Sequence, residues 1–484
     1  MNLQGPSQKN RTFQVRELIS VENSPELLTF KFKYDNILIW PFVRHMVLQG
    51  AINEMFSLKN PHAKIGKQSV VDLLRYIYTT VTKSPFCIDK KTKTDILFFS
   101  SGIVNVKEDD KYVNRIYDDF AFEYADRTLI IEDSCRYRYY HPRNFSKVYY
   151  HYLISLLVFP GSFLKKTCRS DEVAIEGLIS YLKNNFVYKF QSNFWNEARR
   201  VLHKVSSRLP RLHKLYLKLF NNIRPKIIFL EDANYGRKSY IIKWAKDLRI
   251  ITAEVQHGAI LQEHPAYNYG DAVFKSEYVN YLPDFYLSNG KFWSDSLTTP
   301  SKAINIGNPY LSNKLANFQR NRTGDNRYKL LIISGGTAPE SLMNLMQTVL
   351  NILPPQDFKF IFRPHPSEMP FANSRYKYVI ENKIEFDRDS LYKTLEEVDG
   401  VLSAEFSTAI FEAAIFGKDV YVLKTPLFTY HYSKEIFNYF DTPQELYKLV
   451  TDRNKTKCDP KILLDSNWRS NYRSFINKVV YDLE

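Results

Sequence analysis

The chain has 484 residues, a formal net charge of +15 from 67 Lys and Arg against 52 Asp and Glu, and 44% hydrophobic residues. This composition indicates a globular chain of two or three domains, and the 15% aromatic content excludes a largely disordered protein. Four widely spaced cysteines without a CxxC pair exclude a zinc ribbon, an iron–sulfur protein and a disulfide scaffold, and they are typical of a reducing compartment.

Neither export nor membrane insertion is expected from the apolar segments. Residues 1–17 are polar and lack the apolar core of a signal peptide. The most apolar run, residues 148–164, is interrupted by His151, Pro160 and Gly161, and it is predicted to be a buried or interfacial helix. We therefore expect a cytosolic protein that can rest on a membrane surface.

The positive charge is concentrated in the first two-thirds of the chain. Residues 1–326 carry 47 basic and 31 acidic side chains, whereas residues 327–484 carry 20 and 21. Residues 134–226 alone hold 18 basic and 4 acidic side chains, and residues 199–226 hold nine basic and no acidic ones.

The basic stretch at residues 199–226 has apolar residues at roughly helical spacing, with Pro210 expected to break the helix. Three interpretations stay open: a solvated face of a surface helix pair, docking to an anionic membrane, and nucleic-acid binding. Nucleic acid is the least favoured partner because no recognition module accompanies the charge. The basic residues expected to face an acceptor or a membrane are Arg199, Arg200, Lys204, Arg208, Arg211, Lys214 and Lys218.

Short apolar runs that end in turn residues alternate with helical segments along the chain, which predicts βαβ units and parallel sheets. The polar, aperiodic residues 318–327 are the best linker candidate. The predicted domains are therefore 1–326, with a basic helical insertion at about 134–226, and 327–484. The strands of the first domain are predicted at residues 95–102, 127–133, 226–232, 250–258, 284–290 and 303–307. In the second domain a strand and the loop after it are predicted within each of residues 328–336, 358–366 and 400–408, and a further strand at 419–424.

These elements predict an α/β fold of two doubly wound domains in tandem, with a cleft between them. In such domains ligands bind at the carboxyl ends of the strands. Six of the 16 glycines follow predicted strands, where a backbone turns tightly or approaches a ligand: Gly102, Gly258, Gly290, Gly307, Gly335 and Gly336.

Three polar loops follow strands of the second domain. The N–H groups of Gly335, Gly336 and Thr337 precede a helix and suit a phosphate, although no GxGxxG or P-loop pattern is present. In the second loop, Arg363 and His365 alternate with prolines, either as donors to an anion or as a solvent-exposed turn.

The third loop leads into another helix. Ser407 and Thr408 either cap this helix while their N–H groups face a phosphate, or form an ordinary cap alone. One turn into the helix, Glu412 is either a ribose contact or a solvated side chain.

The ordered motifs QHG, RPHP and S-x-E-x-S-T-x-x-x-E-A-x-x-x-G-K, within residues 226–424, resemble the GT-B-fold transferases of bacterial surface polymers. These are the capsule polysaccharide biosynthesis glycosyltransferases and the CDP-glycerol glycerophosphotransferases. Bacterial sialyltransferases, with HP and S-S/T motifs, are similar too. The resemblance implies a GT-B-like fold of two Rossmann-type α/β domains, the first on the acceptor side and the second binding the nucleotide-sugar.

The resemblance also implies roles in donor binding. Arg363 and His365 would contact the nucleotide phosphates, Ser407 and Thr408 would hold the same phosphate group, and Glu412 would contact the ribose.

The catalytic base stays open at this point. His257 matches the histidine of the teichoic acid enzymes. Glu231 and Asp232 stand where the sialyltransferases have an acidic motif, but Ala233 replaces its glycine.

The expected activity is transfer of a sugar from a CMP-, UDP- or GDP-linked donor to a polysaccharide or lipid-linked glycan. The resemblance implies inversion of configuration and no obligatory metal or cofactor. It also places the protein in the bacterial cytoplasm, on the inner face of the cytoplasmic membrane. Two alternatives stay open: polyol-phosphate transfer from CDP-glycerol or CDP-ribitol, and a non-catalytic, membrane-docked subunit of a polysaccharide assembly complex.

Overall fold

Two parallel β-sheets, each covered by helices on both faces, form the framework of the computed structural model. The first sheet has seven strands in the order β5-β4-β1-β6-β7-β8-β9, and the second has six in the order β12-β11-β10-β13-β14-β15. The residues that the structure describes are 12–58, 69–89, 91–159, 168–295, 297–321, 324–382, 384–431 and 436–482.

The strands of the first domain include an antiparallel hairpin, β2–β3, outside the main sheet. The strands are β1 (Ile96–Ser101), β2 (Asn105–Glu108), β3 (Lys111–Asn114), β4 (Thr128–Asp133), β5 (Val148–Tyr150), β6 (Ile227–Leu230), β7 (Ile251–Val255), β8 (Phe285–Ser288) and β9 (Lys302–Asn305). The helices before the second sheet are α1 (Val15–Ile19), α2 (Trp40–Met55), α3 (Val70–Thr82), α4 (Asp118–Glu123), α5 (Tyr152–Val158), α6 (Arg169–Asn185), α7 (Ser192–Ile223), α8 (Ser239–Asp247), α9 (Asp271–Phe274), α10 (Lys291–Ser294) and α11 (Pro309–Ala316).

The second sheet is followed by two helices that lead the chain away from it. Its strands are β10 (Tyr328–Ile333), β11 (Phe358–Arg363), β12 (Glu385–Phe386), β13 (Gly400–Ser403), β14 (Asp419–Leu423) and β15 (Asn438–Phe440). The remaining helices are α12 (Pro339–Ile352), α13 (Ala372–Arg375), α14 (Lys377–Glu381), α15 (Leu391–Glu397), α16 (Thr408–Ile415), α17 (Pro426–His431), α18 (Pro443–Thr451), α19 (Pro460–Leu463) and α20 (Trp468–Val480).

Both sheets are doubly wound. The chain starts at a central strand, runs outward to one edge, and then returns to the other side of its first strand. The direction reverses between β1 and β6 in the first sheet and between β10 and β13 in the second, and ligands of such sheets bind at this reversal. The predicted α/β fold class, with two tandem Rossmann-type domains, is confirmed.

Alternating side chains of each strand supply two cores. On β1, Leu97 and Phe99 pack into a core with α2, α7 and α8, whereas Ile96 and Phe98 pack into another on the opposite face. Strands buried on both faces explain why the sequence shows continuous apolar runs.

The last helix, α20, packs on the sheet of the first domain. The predicted domain boundary groups this helix with the second domain, residues 327–484. Tyr472, Phe475 and Ile476 lie in the core of the first sheet, and the rings of Phe475 and Phe229 are 6.5 Å apart. The apolar spacing of α20 complements the open face of the first sheet, and this draws the chain back across the domain boundary.

This return crossing explains two of the glycines that follow strands. Gly307 has a left-handed φ of +85°, and a Cβ there would collide with the carbonyl oxygen of Asp465. At Gly290 a Cβ would lie 2.5 Å from the carbonyl oxygen of Ile462. Because these glycines lack a side chain, they leave room for the crossing backbone. The sequence alone did not predict this role.

The basic stretch at residues 199–226 packs on the core of the first domain through the apolar side of helix α7, and the helix break predicted at Pro210 is wrong. Helix α7 runs through Pro210 without interruption over 32 residues. Leu209, just before Pro210, and Leu212, two residues after it, are buried in the same core. That apolar face holds both halves of the helix in place although the proline removes one hydrogen bond.

The apolar run at residues 148–164 is divided between a strand and a helix. Its first residues form β5 at the edge of the sheet, and Tyr152–Val158 form α5. Residues 160–164 lie outside the described residues. Among the described residues, no helix is both long and apolar enough to cross a membrane.

Truncation of a buried α20 side chain tests the packing of this helix on the first sheet. Ile476→Ala is expected to lower the free energy of unfolding by about 2–5 kcal/mol, because Ile476 is fully buried and its removal leaves a cavity. The exposed Ser474→Ala on the same helix is the matched control. Equal urea midpoints for the two variants would contradict the packing.

Candidate functional site

The carboxyl ends of β6 and β7 bring Asp232 and His257 together. Asp232 follows β6 in a left-handed conformation, with φ 56° and ψ 35°, which aspartate tolerates better than most residues. Its Oδ1 lies 3.2 Å from Nε2 of His257, and its side chain is 47% exposed. An accessible carboxylate thus stands beside an imidazole.

The other side of the imidazole faces a buried carboxyl group that sequence reasoning missed. Oε1 of Glu254, on β7, lies 3.7 Å from Nδ1 of His257, and no described residue hydrogen-bonds to that buried nitrogen. Glu254 also accepts the hydroxyl of Tyr267 at 2.6 Å. In the sequence, Glu254 is the single charged residue within a strand, and its partners come from other parts of the chain.

Burial controls the protonation of this pair. It raises the pKa of Glu254 to about 8, and it lowers the pKa of His257, although the charge of Asp232 opposes that lowering. Near neutral pH the imidazole is therefore uncharged and Glu254 holds its proton. A neutral imidazole donates one hydrogen bond, and Nε2 is the nitrogen placed to donate it to Asp232.

Glu231, the third predicted catalytic residue, points elsewhere. It is buried and accepts the backbone N–H of Ser101 at 2.7 Å, at the point where the first sheet reverses direction. Burial raises the pKa of Glu231 to about 8, against the opposing charge of Lys238. Glu231 is therefore a protonated group, and its hydrogen bond with Ser101 links the end of β6 to the end of β1.

The two domains touch at the loops after β7 and β13. The backbone N–H of Ala259 donates to Oγ1 of Thr408 at 3.2 Å, and a Cβ built on Gly258 would lie 3.6 Å from the same oxygen. Ser407 caps α16 by accepting the N–H of Ala409 at 3.3 Å. The positive end of the α16 dipole therefore lies next to the loop that carries His257.

The backbone N–H groups of the glycine loop after β10 are already bound by a carboxyl group of the protein itself. Fully buried Glu405 accepts the backbone N–H groups of Gly335 at 2.6 Å and Thr337 at 3.0 Å, and also that of Ala338. The N–H of Gly336 donates to Oγ of Ser334 at 3.0 Å. These amides are therefore engaged within the protein, and phosphate binding by Gly335, Gly336 and Thr337 stays a prediction.

Gly336 also positions His365. It has a φ of +80°, and a Cβ there would lie 3.1 Å from Cβ of His365. Nδ1 of His365 lies 2.7 Å from the hydroxyl of Ser367, which leaves Nε2 for another partner. Burial lowers the pKa of His365 while Glu368 and Glu405 raise it.

Arg363 is not free to serve a phosphate by itself. Its guanidinium is ion-paired with the buried Asp387 and donates to the carbonyl oxygen of Asp389 at 3.0 Å. The carboxylate of Asp387 neutralises much of the charge that the sequence assigned to donor binding.

Glu412 lies in an aromatic cluster between the domains. It accepts the hydroxyl of Tyr392 at 2.8 Å, and the rings of Tyr392 and Tyr310 are 5.8 Å apart. Arg115, another residue that the sequence did not single out, reaches the same junction. Its charge opposes the burial that raises the pKa values of Tyr392 and Tyr310.

The predicted acceptor- or membrane-facing residues lie along α7. Arg199 is ion-paired with Glu176, and Arg200 with Glu197. Arg208 is half-buried. The exposed members are Arg200, Lys204, Arg211, Lys214 and Lys218. Within the described parts of the chain, no group of three or more His, Cys, Asp or Glu is arranged to hold a metal ion.

No protein-family model matches the sequence, and no curated protein matches it. Among solved structures, UDP-GlcNAc 2-epimerase from Methanocaldococcus jannaschii is 13% identical, with a TM-score of 0.42 over 78% of this chain and 99% of that chain. The epimerase from Neisseria meningitidis bound to UDP-GlcNAc is 11% identical, with a TM-score of 0.42 over 80% and 100%. MurG from Acinetobacter baumannii is 8% identical, with a TM-score of 0.38 over 81% and 100%. Likenesses this low assign no substrate or activity to this chain.

The protonation of Glu254 makes a prediction about stability. In the folded chain this carboxyl keeps its proton up to about pH 8, whereas its ordinary pKa of 4.5 applies after unfolding. The unfolded state then binds fewer protons, so the free energy of unfolding falls as pH rises from about 4.5 to 8. In Glu254→Gln, which mimics the protonated acid, the fall is expected to be shallower, because only Glu231 and other groups still contribute.

Urea unfolding at several pH values measures this slope. The exposed Glu381→Gln serves as control and should keep the slope of the unsubstituted chain. A slope in Glu254→Gln equal to that of the control would show that Glu254 is ionised in the folded protein.

Proposed function

We propose that this chain is a glycosyltransferase that moves a sugar, with inversion, from a nucleotide-sugar to a hydroxyl of a growing bacterial surface polysaccharide. The observation that carries the proposal is the Asp232–His257 pair at the strand ends of the first domain, next to the N-terminus of α16 in the second. A base on one domain and an anion-binding helix end on the other are what such a transfer needs.

In the proposed reaction Asp232 is the base and His257 is its positioning partner. Asp232 is the more exposed of the two, and Nε2 of His257 is engaged with it while Nδ1 is buried. The acceptor hydroxyl gives its proton to Asp232 as its oxygen bonds to the anomeric carbon. The bond from that carbon to the donor phosphate breaks, and the nucleotide leaves with the electron pair.

The leaving phosphate would be stabilised by groups of both domains. The first-turn N–H groups of α16, at Ser407 and Thr408, carry the positive end of the helix dipole. His365 would donate from Nε2, and Arg115 would add positive charge from the first domain. Glu412 would meet the ribose. No metal or cofactor is part of this proposal, and the donor nucleotide is cytidine, uridine or guanosine.

The proposed acceptor is a polysaccharide or lipid-linked glycan at the inner face of the cytoplasmic membrane. The motifs at residues 226–424 and the basic first domain support this placement. Polyol-phosphate transfer from CDP-glycerol or CDP-ribitol would use the same residues, and it differs in the donor that is consumed.

A non-catalytic subunit is the second candidate, and one observation favours it. Glu405 fills the amides of the glycine loop, and Asp387 neutralises Arg363, so two expected donor contacts are engaged within the protein. Incubation with CMP-, UDP- and GDP-sugars and with CDP-glycerol decides between the candidates. Release of a nucleotide supports the transferase, and the donor consumed names its class, whereas neither binding nor release of any donor supports the subunit.

Two variants separate the roles of Asp232 and His257. Asp232→Asn is expected to lower kcat by about 10²–10⁴-fold, the usual range for loss of a general base. His257→Gln keeps a side-chain N–H donor and is expected to lose less than about tenfold. Nucleotide release in single-turnover experiments measures both.

The reverse result would reassign the base. If His257→Gln loses as much as His257→Ala while Asp232→Asn retains activity, His257 takes the proton. Glu381→Gln, which changes an exposed side chain at the end of α14, should leave release unchanged.

A further inference from the structure

Helix α3 buries side chains that carry hydroxyl groups and exposes its aliphatic side chains, which is the reverse of an ordinary surface helix. Its buried residues are Tyr76 and Thr80, whose hydroxyls lie 3.1 Å from that of Ser134 and 2.9 Å from that of Tyr139. Its aliphatic side faces outward, with Leu74 61% exposed. A surface helix normally buries its apolar side, so an apolar partner is expected to cover this one.

Helix α5 extends this apolar surface. It packs beside α3, where the rings of Tyr76 and Tyr152 are 5.2 Å apart, and it exposes two leucines of its own. We call the combined surface the α3–α5 face; it consists of Val70, Leu74, Ile77, Tyr78, Leu156 and Leu157. Tyr78 is 69% exposed and supplies the amphipathic ring that is common at membrane interfaces.

A row of positive charge lies next to this face. Lys204, Arg211, Lys214 and Lys218 are exposed on α7 and fall within roughly 80° of one another on a helix of 3.6 residues per turn. At the end of the row, Nζ of Lys218 lies 5.5 Å from the ring of Phe86, shortly after α3. Because α5 also packs against α7, the helices that carry the apolar face and the basic row are neighbours.

The α3–α5 face is also on the edge of the sheet that carries the candidate site. Ser134, the partner of Tyr76, follows directly after β4, and Asp232 follows β6 at the same carboxyl edge. An acceptor held in a surface that covers α3 would thus approach the junction from the first domain, which is the predicted acceptor side.

We propose that the α3–α5 face docks on an anionic lipid bilayer, with its apolar side chains in the interface and the basic row of α7 on the headgroups. Charge complementarity selects this occupant, since an apolar face bordered by a basic row matches a bilayer that offers both acyl chains and negative headgroups. The proposal deepens the proposed function by naming where a lipid-linked acceptor is met, and only that link rests on the transferase.

Vesicle flotation of the full chain tests the docking. The chain is expected to float with phosphatidylcholine vesicles that contain phosphatidylglycerol and to bind less as salt rises. Leu74→Ser with Ile77→Ser should weaken this binding by about tenfold or more. The control pair, Ile380→Ser with Tyr447→Ser, removes exposed apolar side chains from the second domain and should bind like the unsubstituted chain.

A charge series tests the basic row. Arg211→Gln, Lys214→Gln and Lys218→Gln together should weaken binding about tenfold or more to the anionic vesicles. The matched triple variant in the second domain replaces exposed lysines and should have no such effect; its substitutions are Lys377→Gln, Lys457→Gln and Lys461→Gln.

Several results would overturn the docking proposal. These are failure of the full chain to float with anionic vesicles, or equal flotation of the Leu74/Ile77 variant and its control. A Leu74/Ile77 variant that converts a dimer to a monomer in light scattering, without loss of lipid binding, would make the face a contact between copies of this chain.

Failure of the proposed function is distinguishable from failure of the docking. Asp232→Asn should still float, and the Leu74/Ile77 variant should still release nucleotide with a soluble acceptor.

Discussion

The packing of the returning backbone against the ends of β8 and β9 holds the two sheets in one arrangement. The N–H of Asp465 donates to the carbonyl oxygen of Asn289 at 2.8 Å, and the indole of Trp293 donates to that of Leu463 at 2.8 Å. Gly307 leaves room for this crossing, and α20 then seals the first sheet. The chain therefore joins the two domains twice, after β9 and before α20. The contact of Ala259 with Thr408, on which the candidate site depends, lies between bodies that are restrained at both connections.

Carboxylates in this fold differ in what surrounds them, and their chemistry follows from that. Glu405 is surrounded by N–H and O–H donors and takes the position that an anionic ligand would take in the glycine loop. Glu254 and Glu231 lie where burial outweighs the hydrogen bonds they accept, so the pKa of each is raised to about 8. Asp232 alone among these four combines substantial exposure with a neighbouring imidazole. That combination, and not acidity as such, is the reason why Asp232 is the proposed base.

Local sequence patterns predicted the two sheets well, because the strands of a doubly wound sheet are short apolar runs that end at turn residues. Patterns could not predict the pairs that shape the site, because their partners are distant in the chain. Glu405 bonds to amides about 70 residues earlier, and Arg363 is neutralised by a carboxylate 24 residues later. Periodicity shows that α3 and α20 have apolar faces, but it does not show what each face meets. One face closes the first sheet and the other points to solvent, and only the tertiary structure separates these cases.

The uneven charge has a consequence for how two different substrates would reach one junction. The basic row of α7 and the α3–α5 face lie in the same domain, whereas residues 327–484 carry 20 basic and 21 acidic side chains. In the proposed docking, attraction to an anionic surface acts on the first domain and brings the carboxyl edge of its sheet toward that surface. The nearly neutral second domain stays accessible to a soluble nucleotide. An acceptor confined to a surface and a donor that diffuses would then meet where the loop of His257 touches the end of α16.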